Sequence, residues 1–280
     1  MSRQTQAIIH LDKIKQNYQL ANQWAPNSKN IAIIKADAYG HGLLKVATYL
    51  QPHVAAFGVA IIDEALALRQ AGITKNILVL QGVNEAEELQ AASDADLWLT
   101  IHHPSQVDLV LSTQLKKPIK LWLKLDSGMH RLGILPQQYR KAIEDLLACA
   151  WVDPALVLSS HFSSAGDLTS STSAQQLEVF NQLIESQAGC QNLERSLANS
   201  AALASIIESH TDWNRPGIML YGLPLFEQSH SSDKALQAAM TFNTRVIAIR
   251  QLKKGEFVGY SRRWQPKKNS SIATLAVGLC

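Results

Sequence analysis

Short apolar runs recur along the first four-fifths of the chain, each followed by a stretch with helical spacing. The runs Ile31–Lys35, Phe57–Ile61, Asn76–Leu80, Leu97–Ile101, Ile119–Leu125, Leu156–His161, Leu193–Ala198 and Asn214–Met219 predict strands. Amphipathic spacing between them predicts helices over Ile62–Ala71, Glu85–Ala92, Ser105–Thr113, Gln137–Ala150, Ala174–Gln187 and Ala201–Ser209. Regular strand–helix alternation predicts an α/β fold with a parallel sheet. Eight strands is also the number that closes a (β/α)8 TIM-type barrel of about 250 residues. A doubly wound open sheet carries the same alternation, and periodicity alone does not separate the two. No GxGxxG or Walker-type loop is present to support a nucleotide-binding open sheet.

The pattern changes after about Ser232. Thr244–Gln251 and Ser271–Val277 read as strands, with Phe257–Tyr260 as a shorter one, and no long helix separates them. The expected organisation is a barrel over residues 1–230 and the start of a β-rich domain over 231–280. Gln228–Asp233 reads as the linker, and residues 1–10 are candidates to pair with the β domain. The chain stops at Ala276-Val277-Gly278-Leu279-Cys280, inside a strand-like run without a turn or cap. The reading at this point is an incomplete β domain, because three short strands rarely stand alone.

Composition narrows the function. Of 280 residues, 46% are apolar and 18% charged, enough for a large core. The net charge of +3 is spread thinly, so nucleic acid and anionic membranes are poor partners. No apolar stretch approaches the roughly 18 residues of a spanning helix, and Met1–Gln6 lacks the apolar region of a secretory signal. Cys149, Cys190 and Cys280 have no metal-like spacing and no even pairing, which points to a reducing, cytoplasmic setting.

Candidate chemistry starts at Lys35, placed at the end of a buried run and followed by Ala36-Asp37-Ala38-Tyr39-Gly40-His41-Gly42. Poor solvation there disfavours an ammonium ion, and a free amine can form a Schiff base with a carbonyl compound such as pyridoxal phosphate. The bland alternative is a lysine whose ammonium reaches solvent. In a barrel, chemistry gathers at the C-terminal ends of the strands. The other predicted ends carry Lys124 and Asp126 with the nearby Arg131, then His161, Asn199-Ser200, and Arg215-Pro216-Gly217-Ile218. A rim of this kind suits an anionic, phosphate-bearing ligand, with Ser200 and the amides near Gly217 as a phosphate site. Taken singly, His161 could be a core histidine, Ser200 a helix cap, Tyr39 a packing aromatic, and either arginine a surface residue. Their coincidence on one rim beside Lys35 weighs against all of those readings.

Several of these segments resemble the alanine racemase family, pyridoxal-phosphate enzymes of fold type III. They are Ala32–Gly42, Leu123–Gly133, Ser160–Phe162, Ala198–Ala201, Arg215–Gly222 and Gly255–Tyr260, in matching order and spacing. The resemblance implies the following roles. Lys35 holds pyridoxal 5′-phosphate covalently and is one proton-transfer base. Tyr260, reaching in from the partner subunit of a homodimer, is the other base, on the opposite face. Tyr39, Ser200 and the Gly217–Ile218 backbone bind the phosphate. Arg131 holds the substrate carboxylate, Arg215 faces the pyridine nitrogen, and His161 lies beside the ring and links Tyr260 to Arg215. Lys124 aligns with a lysine that is carbamylated in some members. The product would be D-alanine for peptidoglycan, or L-alanine from D-alanine catabolism. The family continues for about another quarter of its length, with a Tyr-Ala/Gly-Asp-Gly motif where Leu279-Cys280 stands here. The expectation from that departure is a poorly soluble or inactive 280-residue product.

Rival readings are a racemase for serine or a broad set of amino acids, and a non-catalytic pyridoxal-phosphate-binding barrel. The Tyr260 segment and β domain argue against the second. A zinc-dependent barrel hydrolase using His102, His103 and His161 lacks the carboxylate-rich ligand set at strand ends.

Overall fold

The eight apolar runs form eight parallel strands, and the strands close on themselves. A computed structural model describes residues 5–187 and 189–277. After strand β1 (Gln6–Ile9) and helix α1 (Leu11–Trp24), the order is β2 (Lys29–Ile33), the turn α2 (Lys35–Gly40), α3 (Leu43–Leu50), β3 (Ala56–Val59), α4 (Ile62–Gln70), β4 (Asn76–Val79) and α5 (Ala86–Asp94). It continues through β5 (Leu97–Ile101), α6 (Pro104–Ser112), β6 (Leu121–Lys124), α7 (Pro136–Ala148), β7 (Val157–Ser159), α8 (Thr172–Glu185), β8 (Glu194–Ser196), α9 (Ser200–Ser205) and β9 (Trp213–Asn214). Strands β2 to β9 pair in sequence order. The last returns to the first through Lys29↔Trp213 and Asn30↔Asn214. Closure excludes the open sheet.

Helices cover the outside of the barrel, so its strands are buried on both faces and read as continuous apolar runs. In β5, Leu97–Ile101 is buried throughout. The interior is packed, with Ile31, Ile33, Leu78 and Val157 around the indoles of Trp98, Trp122 and Trp213. Those three rings lie 5.4–6.1 Å apart, with Trp213 edge-on to the other two. At the N-terminal mouth, Glu194 bridges Lys29 (3.2 Å) and Lys120 (3.1 Å). Their ammonium groups lie over the Trp213 and Trp98 rings. That end is closed by packing, which leaves the opposite rim for a site.

The barrel unit extends to Ala239, past the expected boundary at residue 230. The supposed linker is a 3-10 turn, Ser231–Ala235, and Asp233 accepts the Leu225 N–H through its carboxylate at 2.8 Å. Asn17 of α1 grips the next stretch. Its carbonyl accepts the Gln237 N–H (2.8 Å), and its amide donates to the carbonyls of Gln237 (2.8 Å) and Leu220 (3.0 Å). Polar linker composition concealed these side-chain bonds. The predicted strand Asn214–Met219 is also shorter than expected. After Asn214 the chain bends, and Ile218–Tyr221 is a 3-10 turn.

The second unit joins the N-terminal segment to the residues from Met240 onward. Strand β1 pairs antiparallel with β10 (Met240–Asn243), and β11 (Val246–Leu252) pairs antiparallel with β12 (Ser270–Leu275). Phe257–Tyr260 is not a strand. Val258 makes one bridge to Trp264, and Tyr260–Arg262 is a 3-10 turn with Ser261 at φ 58° and Arg262 at φ 49°, values no strand accommodates. The terminal Gly278-Leu279-Cys280 lies outside the described residues.

Candidate active site

The strand ends of the open rim enclose a cavity of about 490 Å³. Lys35, Tyr39, Lys124, Arg131, His161, Ser200, Arg215, Gly217 and Ile218 all line it. Nine sequence candidates thus meet in one place. Tyr260 belongs to the second unit, where it opens the Tyr260–Arg262 turn with its side chain 99% exposed.

Lys35 does not end its strand; it begins a tight turn. Ala36, Asp37, Ala38 and Tyr39 all adopt left-handed backbone, with φ 53–54° and ψ 37–56°. Each residue so placed costs about 1–2 kcal/mol, so the turn persists only because its surroundings hold it. Asp37 accepts the Leu43 N–H through its carboxylate (2.7 Å) and the Gly42 N–H through its carbonyl (2.9 Å). Tyr221 packs against both Tyr39 (ring centroids 4.8 Å) and His41 (4.5 Å), and donates its hydroxyl to the Ile33 carbonyl at 3.0 Å. Left-handed residues turn the chain sharply, so that Lys35 and Tyr39 both line the cavity.

One corner of the cavity is lined from the ends of β8 and β9. Ser200 is buried at the start of α9, whose N-cap is Asn199, and its hydroxyl accepts the Gly217 N–H (2.8 Å). Gly217 lets the Tyr39 hydroxyl approach closely: a Cβ there would sit 3.0 Å from it and press it aside.

Arg215 is buried beneath. Its guanidinium donates to Ser196 Oγ and to the carbonyls of Ser160 and Leu197, and to His161 Nδ1 at 3.4 Å. Burial pulls its pKa down to about 10, still cationic at neutral pH. The His161 imidazole is pushed well below its ordinary value, first by burial and then by Arg215, Lys124, Arg131 and Lys35. It is therefore neutral, and since Nδ1 accepts from Arg215, the proton sits on Nε2.

Arg131 is carried by a loop that Asp126 organises. The buried Asp126 carboxylate accepts the Gly128 and His130 N–H groups, each at 3.0 Å, and pairs with the His130 ring at 3.2 Å. Burial alone would raise its pKa, but these donors outweigh it and hold the carboxyl below the usual range. The Lys35 amine is pulled down by burial and by Arg131, against the Glu64 carboxylate. Lys124 is pulled down to about 8, by burial first and then by Arg215 and Arg131.

Lys124 gives a pH prediction. Between pH about 8 and 10.5 the folded chain holds fewer protons on this amine than the unfolded chain. Stability contributed here therefore rises with pH across that window. In bicarbonate-free buffer, the difference in urea midpoint between the protein and Lys124→Met should move in favour of the protein as pH rises from 8 to 10. A flat difference would refute it.

No aspartate or glutamate is among the lining residues, while Lys35, Lys124, Arg131 and Arg215 all are. The cavity is built for an anion. Gln81, Thr100 and Trp122 also line it and were missed in the sequence. Only their position at or near strand ends could have marked them. No helix is long and apolar enough to cross a membrane, among the described residues, and no cluster of His, Cys, Asp or Glu there could hold a metal.

Comparison with known proteins gives a consistent result. The alanine racemase N-terminal domain matches residues 9–224 and the alanine racemase C-terminal domain residues 239–280. An alanine racemase of Pseudomonas taetrolens is 41% identical over 276 residues, 99% of this chain and 76% of the relative. A catabolic alanine racemase of Pseudomonas putida is 40% identical over the same shares. The crystal structure of the biosynthetic alanine racemase from Pseudomonas aeruginosa superposes with a TM-score of 0.91 at 38% identity, covering 98% of this chain and 75% of that one. That of the Bartonella henselae alanine racemase with covalently bound pyridoxal phosphate gives 0.82 at 26% identity, covering 97% and 75%.

Proposed function

This chain belongs to the alanine racemase family, and on that premise we propose that its rim cavity holds pyridoxal 5′-phosphate and interconverts L- and D-alanine. The observation that carries the proposal is the set of three basic side chains, Lys124, Arg131 and Arg215, gathered with no lining carboxylate among the described residues beside Lys35 and the Tyr39 and Ser200 hydroxyls in one cavity.

The residues present fit the cofactor. The Tyr39 and Ser200 hydroxyls and the Gly217–Ile218 backbone form a corner for a phosphate, and Gly217 lets the Tyr39 hydroxyl approach closely. Lys35 supplies an amine weakened as a base by burial, the form that bonds to a carbonyl carbon. When bound, the cofactor draws electron density from the substrate α-carbon and so acidifies its proton.

The chain's own groups do the rest. Arg131 holds the substrate carboxylate, and the loop bonds of Asp126 fix where Arg131 starts. Lys35 Nζ removes or delivers the α-proton on one face. The Tyr260 hydroxyl of a second copy of the chain does so on the other face, because inversion needs bases on opposite sides. Arg215 stays protonated and would face the pyridine nitrogen of the bound group with a fixed positive charge that does not give up its proton. Burial and the neighbouring positive charges keep His161 neutral, and the Arg215 hydrogen bond to Nδ1 leaves Nε2–H free to donate, which suits a link toward the tyrosine. Lys124, depressed to about 8, presents a neutral amine at mildly alkaline pH. That amine can add CO2, releasing a proton to solvent as the N–C bond forms, and the resulting carbamate anion would orient Arg131. The setting proposed is a homodimer in the bacterial cytoplasm, making D-alanine for peptidoglycan.

The test is to add pyridoxal phosphate to the purified chain, reduce with borohydride and map the adduct by mass. Solvent deuterium exchange at the α-carbon is followed with alanine and with serine. An adduct on Lys35 with exchange from both alanine enantiomers is expected. An adduct elsewhere, or faster exchange with serine, would refute the assignment of lysine or substrate respectively.

A further inference from the structure

Left-handed turns of four consecutive non-glycine residues need an external hold, and the bonds described so far come from the turn, α3 and Tyr221. One more comes from the start of the helix after the neighbouring strand β3. Glu64, in the first turn of α4, accepts the Ala60 N–H with one carboxylate oxygen (2.8 Å) and the Asp37 N–H with the other (3.3 Å). One side chain thus joins the end of β3 to the middle of the left-handed turn, two residues beyond Lys35. Glu64 does not line the cavity, so it acts on the site through Lys35's backbone and through charge. The groups acting on the Lys35 amine are Arg131, which opposes its ammonium form, and Glu64, which favours it. Lys124 and His161 are charge-coupled to Lys35 as well.

We propose that Glu64 is a positioning residue for Lys35: its carboxylate ties the left-handed turn to β3 and sets where the amine stands and how readily it carries a proton. This rests on the reading of Lys35 as the cofactor-bearing base. The alternative is a plain helix cap, since a glutamate at this position can satisfy N–H groups ahead of its own helix.

Glu64→Gln keeps size and one acceptor but removes the charge; Glu64→Ala removes both. Two readouts separate positioning from capping. The first is the pH dependence of Lys35 acetylation by a trace of acetic anhydride, read by mass in the 280-residue chain without cofactor. Its midpoint should move to lower pH, by about one unit, in both variants, because a neighbouring negative charge is lost. The second is turnover of the cofactor-loaded protein. Here kcat should fall by about 10–100-fold with little change in KM, more in Ala than in Gln. A melting point lowered with both the acetylation midpoint and kcat unmoved would make Glu64 a cap and overturn the proposal. If Ala does not fold, Gln alone decides by the same readouts. The acetylation arm needs no cofactor, so a shift there alongside a failed Lys35 adduct would refute the cofactor assignment and leave the role of Glu64 standing.

Discussion

Lys35→Ala is expected to reduce racemisation by more than about 10³-fold, because it removes both the covalent attachment and one of two proton-transfer groups. The fold should survive. Lys35 is only half-buried, and burial opposes its charged form. Losing the amine therefore leaves no unpaired buried partner behind. A urea midpoint close to that of the unchanged chain, with no adduct on borohydride reduction, is the expected pair of results. Added small primary amines should restore part of the activity if the cavity left by the side chain admits them. Retained turnover above one part in ten would mean that Lys35 is not the base.

Gly133→Ala should damage both the fold and the site. Gly133 has φ 141°, and a Cβ there would lie 2.4 Å from the Asp126 nitrogen, 2.7 Å from the Leu125 carbonyl carbon and 2.8 Å from the Asp126 Cα. All three are backbone atoms and cannot swing away. The chain passes this close because the loop after β6 returns to its own strand: Ile134 donates to the Lys124 carbonyl (2.8 Å), and Asp126 donates to that of Ile134 (3.0 Å). Forcing the two segments apart breaks both bonds and imposes backbone strain, a loss of about 2–5 kcal/mol. It also displaces the loop that carries Arg131. Both a lowered melting temperature and a raised KM for alanine are expected. A melting temperature within a degree of the parent would show that the loop has room that this geometry denies.

How much of this was legible beforehand varies with the physics. The barrel strands are unusually readable because each is buried on both faces, so continuous apolar runs mark them without ambiguity of face. Leu97–Ile101 was bounded correctly for that reason. Asn214–Met219 reads as a longer strand than it is because Ile218–Leu220 is apolar for a different cause: it packs as a 3-10 turn at the open rim, where Ile218 lines the cavity and Met219 and Leu220 are buried. The rim residues could be found by combining strand ends with residue chemistry, and Lys35, Arg131, His161 and Arg215 do meet. What the sequence hid was geometry without a compositional mark. Ala36-Asp37-Ala38-Tyr39 contains neither glycine nor proline, yet it is wholly left-handed, because the bonds holding it come from residues as distant as Glu64 and Tyr221. Asn17 likewise gave no sign that it would anchor residues 220 positions away.

The pairing of β1 with β10 has a consequence for how the molecule is made. Ile9 pairs with Met240, so β1 leaves the ribosome about 230 residues before its partner is synthesised. At about 5–20 residues per second that interval is on the order of 10–50 s. The barrel strands β2 to β8, by contrast, each pair with their immediate successor and can zip as they emerge, with only the β9–β2 closure left to the end. During that wait the N-terminal segment is an unpaired strand edge. A fusion partner or tag placed ahead of Thr5 would therefore act on the assembly of the second unit while leaving the barrel's own order of folding untouched.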